Sequence, residues 1–214
     1  MPARPRPLRS DAARNREKLL DAATQVFRER GLDAPLEHIA RQAGVSIGTL
    51  YAHFPERKAF FDAIFPPRLA CLDQIAAEAL AEPDPWDGFA GFAEALFRLL
   101  AADRGLSDAF AQRFPMSAEV TGACHRGFGY AEEIISRARD SGQLRSDFQL
   151  ADLVSLTWAI SQVIRESAAF APEAWRRHLA FFLDGLRAQA AHRICVPPMT
   201  PAQLAKVGQA GDGR

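Results

Sequence analysis

Apolar residues recur at helical spacing along most of the chain. Leu19, Ala23, Val26 and Phe27 follow one another at i, i+4, i+7 and i+8, which places them on one face of a helix that Gly31 ends. No run alternates between apolar and polar residues as a half-buried strand would. We therefore predict an all-α fold of about nine helices.

Two short helices joined by a tight turn are predicted next. Residues 36–43 are amphipathic and stop at Gly44, which tolerates a left-handed backbone. Ser46 is expected to cap the following helix, residues 47–53, by accepting a hydrogen bond from a backbone amide. This helix-turn-helix pattern is typical of proteins that place a helix in a DNA groove.

The second of these helices has polar side chains that the core does not need. Leu50 and Phe54 are four residues apart and can face the core. The side chains expected to point outward are those of Thr49, Tyr51 and His53. Gly48 costs about 1 kcal/mol of helix propensity relative to alanine, but it would let the backbone approach a base edge closely.

A resemblance to a known family rests on these residues. The chain reads AGVSIGTLYAHF from Ala43 to Phe54, followed by Lys58, and LLDAATQVFRERGLDAPLEHIA from Leu19 to Ala40. Over this first third it resembles the TetR family of bacterial transcription regulators. The resemblance implies a DNA-binding domain of three helices, a helical ligand-binding and dimerisation domain, and a two-fold dimer on a palindromic operator.

The resemblance also implies roles for individual residues. The residues expected in the major groove are Ile47, Gly48 and Thr49, and those expected to hold phosphates are Tyr51, His53 and Lys58. Arg41 and Gln42 are within reach of DNA as well, although Arg41 is equally well read as a solvated surface charge. Many members have Ser or Thr where this chain has Pro35 and Leu36, so only backbone amides and the helix dipole remain for a phosphate there.

Charge is distributed unevenly between the two parts of the chain. Residues 1–58 hold 11 Lys or Arg against 7 Asp or Glu, whereas residues 59–214 hold 15 against 19. A basic amino-terminal part attracts phosphate. Arg4, Arg6 and Arg9 lie in a proline-rich segment, residues 1–10, which is predicted to be a flexible arm that follows the minor groove or, alternatively, a disordered solubilising tail.

The predicted organisation assigns 11–60 to the DNA-binding domain, 61–195 to the ligand-binding and dimerisation domain and 196–214 to a disordered tail. Prolines and glycines predict the breaks between later helices. Those helices are expected at about 57–80, 86–102, 105–113, 118–140, 150–169 and 173–193. Pro66 and Pro67 predict either a kink that transmits ligand-driven movement or a helix end, with a new helix starting at Arg68.

A ligand cavity is expected among the middle helices, where aromatic residues concentrate. The candidate lining residues are Phe92, Phe110, Phe114, Phe128, Tyr130 and Trp158. Their chemistry favours a small apolar or aromatic effector, although aromatic residues at helical spacing are also typical of a plain core. A DNA-binding regulator controlled by a partner protein, without a small-molecule ligand, is the alternative.

Two wide apolar stripes near the carboxyl terminus predict a dimer interface. The candidates are Leu153, Trp158, Ile160 and Ile164 on one helix and Trp175, Leu179, Phe182 and Leu186 on the next. Two such helices from each protomer can pack as a four-helix bundle. The alternative is that the stripes belong to the core of one protomer.

Other function classes have little support in the sequence. There is no glycine-rich phosphate loop, no HExxH, no GxSxG and no E-x-x-H pair, so we expect neither an enzyme nor a cofactor nor a metal site. Three widely spaced cysteines, Cys71, Cys124 and Cys195, are expected to be reduced thiols, and no apolar run is long enough for a membrane span. These features predict a cytoplasmic, homodimeric regulator, with the role of repressor favoured.

Overall fold

The structure is a computed structural model that describes residues 8–110 and 118–204. This part of the chain contains nine α-helices and a short 3₁₀ turn, Ala188–Ala190, with no strand, so the predicted all-α fold is confirmed. The helices are α1 Leu8–Arg30, α2 Leu36–Ala43, α3 Ile47–His53, α4 Arg57–Ala81, α5 Pro85–Ala102, α6 Arg104–Phe110, α7 Ala118–Asp140, α8 Leu150–Ser167 and α9 Ala174–Leu186.

The first helix begins at Leu8, inside the segment 1–10 that was predicted to be a flexible arm. Its helical backbone starts at Leu8, so Arg9 belongs to α1 and not to an irregular arm. The expectation of a flexible arm is therefore wrong for residues 8–10. Arg4 and Arg6 lie outside the described residues.

Helices α1 to α3, together with the start of α4, form the headpiece. Gly44 ends α2 with φ 66°, and Ser46 caps α3 by accepting a hydrogen bond from the Thr49 amide at 3.1 Å. Phe54, the residue after α3, stacks on Phe60 of α4 with ring centroids 4.0 Å apart. The rings of α1 and α4 meet edge to face nearby. These aromatic contacts hold α3 against the rest of the headpiece.

Helix α4 joins the headpiece to the second domain. It runs without interruption through Pro66 and Pro67, so the alternative that a new helix starts at Arg68 is wrong. Proline has no amide to donate, and the carbonyls four residues earlier, those of Asp62 and Ala63, therefore lack their usual helical partners. The predicted domain boundary at residue 60 falls inside this single helix.

The second domain is built around α5, which contacts α4, α6, α7, α8 and α9. Asp84 caps α5 by accepting hydrogen bonds from the amides of Trp86 and Asp87 at 2.9 and 3.0 Å. Phe89 and Phe97 of α5 are completely buried. The core of this domain is therefore centred on one amphipathic helix with other helices around it.

The predicted disorder from residue 196 onward is wrong as far as Leu204. Arg145 donates a hydrogen bond to the carbonyl of His192 at 2.9 Å and holds the start of the segment after α9. At Thr200 a reciprocal pair of hydrogen bonds follows, because the Thr200 amide donates to the Gln203 side chain at 2.8 Å and the Gln203 amide donates to the Thr200 hydroxyl at 3.3 Å. This is a capping box, and it begins a helical turn at Pro201.

Candidate DNA interface and ligand cavity

The exposed face of α3 consists of Ile47, Gly48, Tyr51 and Ala52. Ile47 is 39% exposed and Tyr51 is 47% exposed, so this face presents two large side chains to solvent. These positions are one and four residues apart and therefore share one side of the helix. We call them the α3 face.

The predicted outward row of Thr49, Tyr51 and His53 is only partly observed. Thr49 and His53 are half-buried, and Ala52 is exposed although it was not a candidate. A helix turns about 100° per residue, so side chains two positions apart cannot form a row. The Thr49 hydroxyl also hydrogen-bonds to the Ser46 hydroxyl at 2.8 Å, so it lies beside the cap of α3.

Gly48 has no structural reason to be glycine. A Cβ atom added there would meet no other atom than the Ser46 hydroxyl oxygen, at the comfortable distance of 3.8 Å. The backbone at this position is ordinary helix, so alanine would fit and would raise helix propensity. The space that glycine leaves is on the exposed α3 face.

The two basic residues that follow α3 have different roles. Lys58 pairs with Asp62 one turn later, Nζ to Oδ2 at 2.8 Å, so a phosphate would compete with this carboxylate. Arg57 instead points into the headpiece and donates hydrogen bonds to the carbonyls of Leu32 and Ala34. Burial lowers the pKa of Arg57, although Asp33 favours the charged form. Sequence reasoning missed Arg57, whose only signal was its position beside Lys58.

Arg41 and Gln42 extend the surface next to α3. Both are exposed near the end of α2. The Gln42 amide donates to the Gln25 side chain of α1 at 2.7 Å, and Gln25 donates to Glu29 at 3.0 Å. Gln42 is therefore held by α1.

Hydrogen bonds connect α6 and the end of α5 to the headpiece. The Asp108 carboxylate accepts a hydrogen bond from the Leu32 amide at 2.9 Å, and Arg28 donates to the Ala102 carbonyl at 3.2 Å. Gly31 has φ 81°, and a Cβ atom there would lie 2.4 Å from the Asp108 carboxylate oxygen. The loop after α1 therefore fits against α6 only because residue 31 is glycine.

A buried ion pair links α4 to the junction between α5 and α6. Arg68 of α4 lies 2.6 Å from Asp103, with side chains 15% and 10% exposed. The other oxygen of Asp103 accepts the Leu106 amide of α6 at 3.0 Å, and Arg68 also approaches the Thr24 carbonyl of α1 at 3.5 Å. Burial lowers the pKa of Arg68, and Asp103 opposes this effect by stabilising the charged form.

An apolar cavity of about 50 Å³ lies between α4, α5, α6, α7 and α8. Three of the residues proposed from the sequence for a ligand site, Phe92, Phe110 and Phe128, are among its lining. Thr157 is the polar side chain in the lining, and its hydroxyl donates to the Leu153 carbonyl at 2.8 Å. The cavity therefore offers apolar contacts and has no charged group in its described wall.

Two candidate lining residues are corrected by the structure. Tyr130 of α7 is 36% exposed and does not line the cavity, and neither does Trp158. Their neighbours Phe128 and Thr157 take the lining positions because a helix presents only one stripe to a cavity. Phe114 lies outside the described residues.

Most of the predicted dimer-interface residues belong to the core of the protomer. Those that are buried within one chain, and are thus wrong as interface residues, are Leu153, Ile160, Ile164, Trp175 and Leu179. Trp158 and Leu186 are half-buried, and Phe182 is 44% exposed. The sequence analysis missed Phe181, which is 61% exposed beside Phe182 on α9. An apolar stripe alone does not tell a partner's surface from the chain's own core.

The described residues show no group of three or more histidine, cysteine or acidic side chains that could hold a metal ion. Within the same part of the chain, no helix is both long enough and apolar enough to cross a bilayer. Cys71 and Cys195 are exposed free thiols.

Two family models match this chain. Residues 19–64 match the model described as "Bacterial regulatory proteins, tetR family", and residues 84–188 match "Transcriptional regulator SbtR-like, C-terminal domain". A TetR transcription regulatory protein from Mycobacterium vanbaalenii, known from a crystal structure, is 31% identical over 85% of this chain and 99% of that chain, with a TM-score of 0.49. The chain thus belongs to the TetR family of DNA-binding transcriptional regulators.

Further relatives show how the similarity is distributed. The HTH-type regulator YvdT of Bacillus subtilis is 39% identical over 72 residues, which is 33% of this chain and 37% of that protein. This chain thus aligns with 37% of the length of YvdT and with 59% of the length of a second curated relative, the HTH-type regulator TtgW of Pseudomonas putida. The regulator FadR of Bacillus subtilis, solved in complex with stearoyl-CoA, is 17% identical over 82% of this chain and 99% of that chain, with a TM-score of 0.59. At this identity the likeness concerns the fold.

Proposed function

We propose that this protein is a homodimeric repressor that binds a palindromic operator through the α3 face of each protomer and leaves it when a small, largely apolar effector binds. The observation that carries the DNA-binding part is the α3 face itself. It is a short, well-capped helix with exposed Ile47 and Tyr51, held rigidly by the aromatic contacts of Phe54. A rigid helix with exposed apolar and phenolic groups suits the major groove.

The roles within this interface follow from chemistry. Ile47 would contact thymine methyl groups, and the bare Gly48 backbone would allow the helix to come close to the base edges. Tyr51 would hold a phosphate with its hydroxyl. Lys58 would leave the Asp62 carboxylate and pair with a phosphate instead. The border of the interface would consist of Thr49, His53, Arg41 and Gln42.

Two copies are needed because one α3 face is small. A two-fold dimer reads two half-sites and thereby multiplies both affinity and specificity. The exposed pair Phe181 and Phe182 on α9, with the half-buried Leu186 one turn after Phe182, is the apolar surface that favours dimerisation at this end of the molecule.

Control by an effector is supported by the path from the cavity to the headpiece. Phe110 lines the cavity and ends α6, while Asp108 on the same helix binds the Leu32 amide of the headpiece. A ligand that displaces Phe110 would pull on this hydrogen bond and on the Arg68–Asp103 ion pair. The DNA-binding and released states would then differ in the spacing of the two headpieces.

Selection of bound fragments from random duplex DNA tests this function. We expect an inverted repeat, because a symmetric dimer reads the same half-site twice. On the selected duplex, Ile47→Ala should change the base preference, whereas Lys58→Gln should weaken all sequences alike and lower the salt slope by about one. Arg98→Gln, at an exposed position of α5, is the control and should bind as the unmodified protein does. Failure to enrich any sequence would contradict the proposal.

Control by a partner protein is the second candidate, and the small volume of the apolar cavity, about 50 Å³, favours it. A thermal-shift screen separates the two. An effector raises the melting temperature by mass action, whereas a regulator that answers only to a protein shows no shift with any small molecule.

A further inference from the structure

The apolar cavity between α4, α5, α6, α7 and α8 is too small for a typical effector. Its volume of about 50 Å³ compares with roughly 300–1,000 Å³ for the sites of drug-sized ligands. An open cleft of about 520 Å³ lies next to it, between α7, the start of α8 and the segment after α9. Phe128, Leu150 and Val154 line both spaces, so these three side chains form the partition between them.

The C-terminal segment forms the outer wall of this cleft. Met199, Pro201 and Leu204 line it, and Met199 and Leu204 are half-buried by that contact. The reciprocal hydrogen bonds between Thr200 and Gln203 fix the backbone of the wall. A segment with such a cap and two packed apolar side chains is a built part of the cleft.

The rim of the cleft is polar, in contrast to the lining of the apolar cavity. Glu132, Arg139 and Gln149 contribute to it. Arg139 donates to the Phe148 carbonyl at 3.2 Å, and its contact with Glu132 is long, at 3.4 Å. A guanidinium has five N–H donors, so most of its capacity remains for a ligand. The side chain of Arg139 is 25% exposed and that of Glu132 is 49% exposed. Water therefore screens the charge of the Glu132 carboxylate more than the charge of the Arg139 guanidinium.

We propose that the cavity and the cleft form one site for an elongated amphipathic effector, with a hydrocarbon chain that passes the partition into the apolar cavity and a carboxylate head group that binds Arg139. The C-terminal segment from Met199 to Leu204 covers the part of the ligand's hydrocarbon chain that lies in the cleft. This inference rests on the proposed control by an effector and adds the chemical class of the ligand.

Calorimetric titration of the full-length protein without DNA tests the head group. The probes are straight-chain saturated carboxylic acids of about four to fourteen carbons and the primary alcohols of equal length. A charge-assisted hydrogen bond should make the longer acids bind about tenfold more tightly than the alcohols. Arg139→Gln should remove this difference and leave the alcohols unchanged. Equal binding of acids and alcohols, an unchanged difference in the variant, or no binding of either series would overturn the inference.

Two truncations test the outer wall. A chain that ends at Pro198 loses Met199, Pro201 and Leu204, and its affinity for the longest acids should fall about tenfold, since apolar contact is lost. A chain that ends at Leu204 keeps the wall and should bind as the full chain does. Equal affinities of the two truncations would contradict the role of the segment. Operator binding, measured in parallel, should be intact in both, so a failure here is distinct from a failure of the DNA-binding function.

Discussion

The buried ion pair between Arg68 and Asp103 allows a quantitative prediction. We choose Asp103→Asn, because asparagine keeps an oxygen for the Leu106 amide and so removes the charge without removing the helix cap. The guanidinium of Arg68 would then be left in the interior without its counter-ion. Breaking a buried pair in this way costs about 3–5 kcal/mol, and the 15% and 10% exposure of the two side chains places this pair at the lower end, about 3 kcal/mol.

Chemical denaturation measures the loss as a change in the free energy of unfolding. For a chain of this length, about 3 kcal/mol corresponds to a fall in melting temperature of roughly 6–12 °C. The double variant Arg68→Met/Asp103→Asn removes both charges and should be more stable than Asp103→Asn alone, because no unpaired charge remains.

The matched control is Arg98→Gln, which removes a partner of the exposed Glu94 on α5 and should cost about 0.3 kcal/mol. The reasoning is refuted if Asp103→Asn is as stable as this control. It is also refuted if the effects of the two substitutions on the free energy of unfolding are additive, since that would mean that the two charges do not interact.

Three further predictions concern single residues. Gly48→Ala should raise the free energy of unfolding by up to about 1 kcal/mol and weaken operator binding, because the new methyl group meets no protein atom closely but occupies the α3 face; equal operator affinity would argue against close approach at this position. Gly31→Ala should lower the melting temperature, since its Cβ atom would lie 2.4 Å from the Asp108 carboxylate and the backbone has φ 81°. Hydrogen bonds from the Asp87 amide and the Gln143 side chain lower the pKa of Asp84, so its contribution to stability is present above the ordinary aspartate pKa and is lost as the pH falls below about 4. The pH dependence of the urea midpoint should therefore be shallower in Asp84→Asn below about pH 4.

The helices were largely predictable because their ends are local. Gly44 and Ser46 mark the turn before α3 through backbone conformation and capping, which depend on neighbouring residues alone. The capping box of Thr200 and Gln203, with proline at the first helical position, is a signal of the same kind that was overlooked. Recognising it would have shown that the chain is structured beyond residue 196.

The partners of apolar stripes were less predictable because they depend on the whole fold. Trp175 and Leu179 form a stripe that suits a dimer interface, yet α9 uses it to pack on the core of its own protomer, where Trp175 lies beside Phe97. Phe182, a candidate of the same stripe, and its neighbour Phe181, which was not a candidate, remain exposed. Periodicity identifies a buried face and does not say which chain buries it.

The central claim is that the α3 faces of two protomers together read the DNA. The most direct measurement is a titration of labelled duplex carrying the selected inverted repeat, compared with the same duplex in which one half-site is scrambled. We predict two protomers per intact duplex, a loss of affinity of about a hundredfold on the scrambled duplex, and weakened binding to both by Tyr51→Ala. One protomer per duplex, equal affinity for both duplexes and no effect of the Tyr51 substitution would contradict the account.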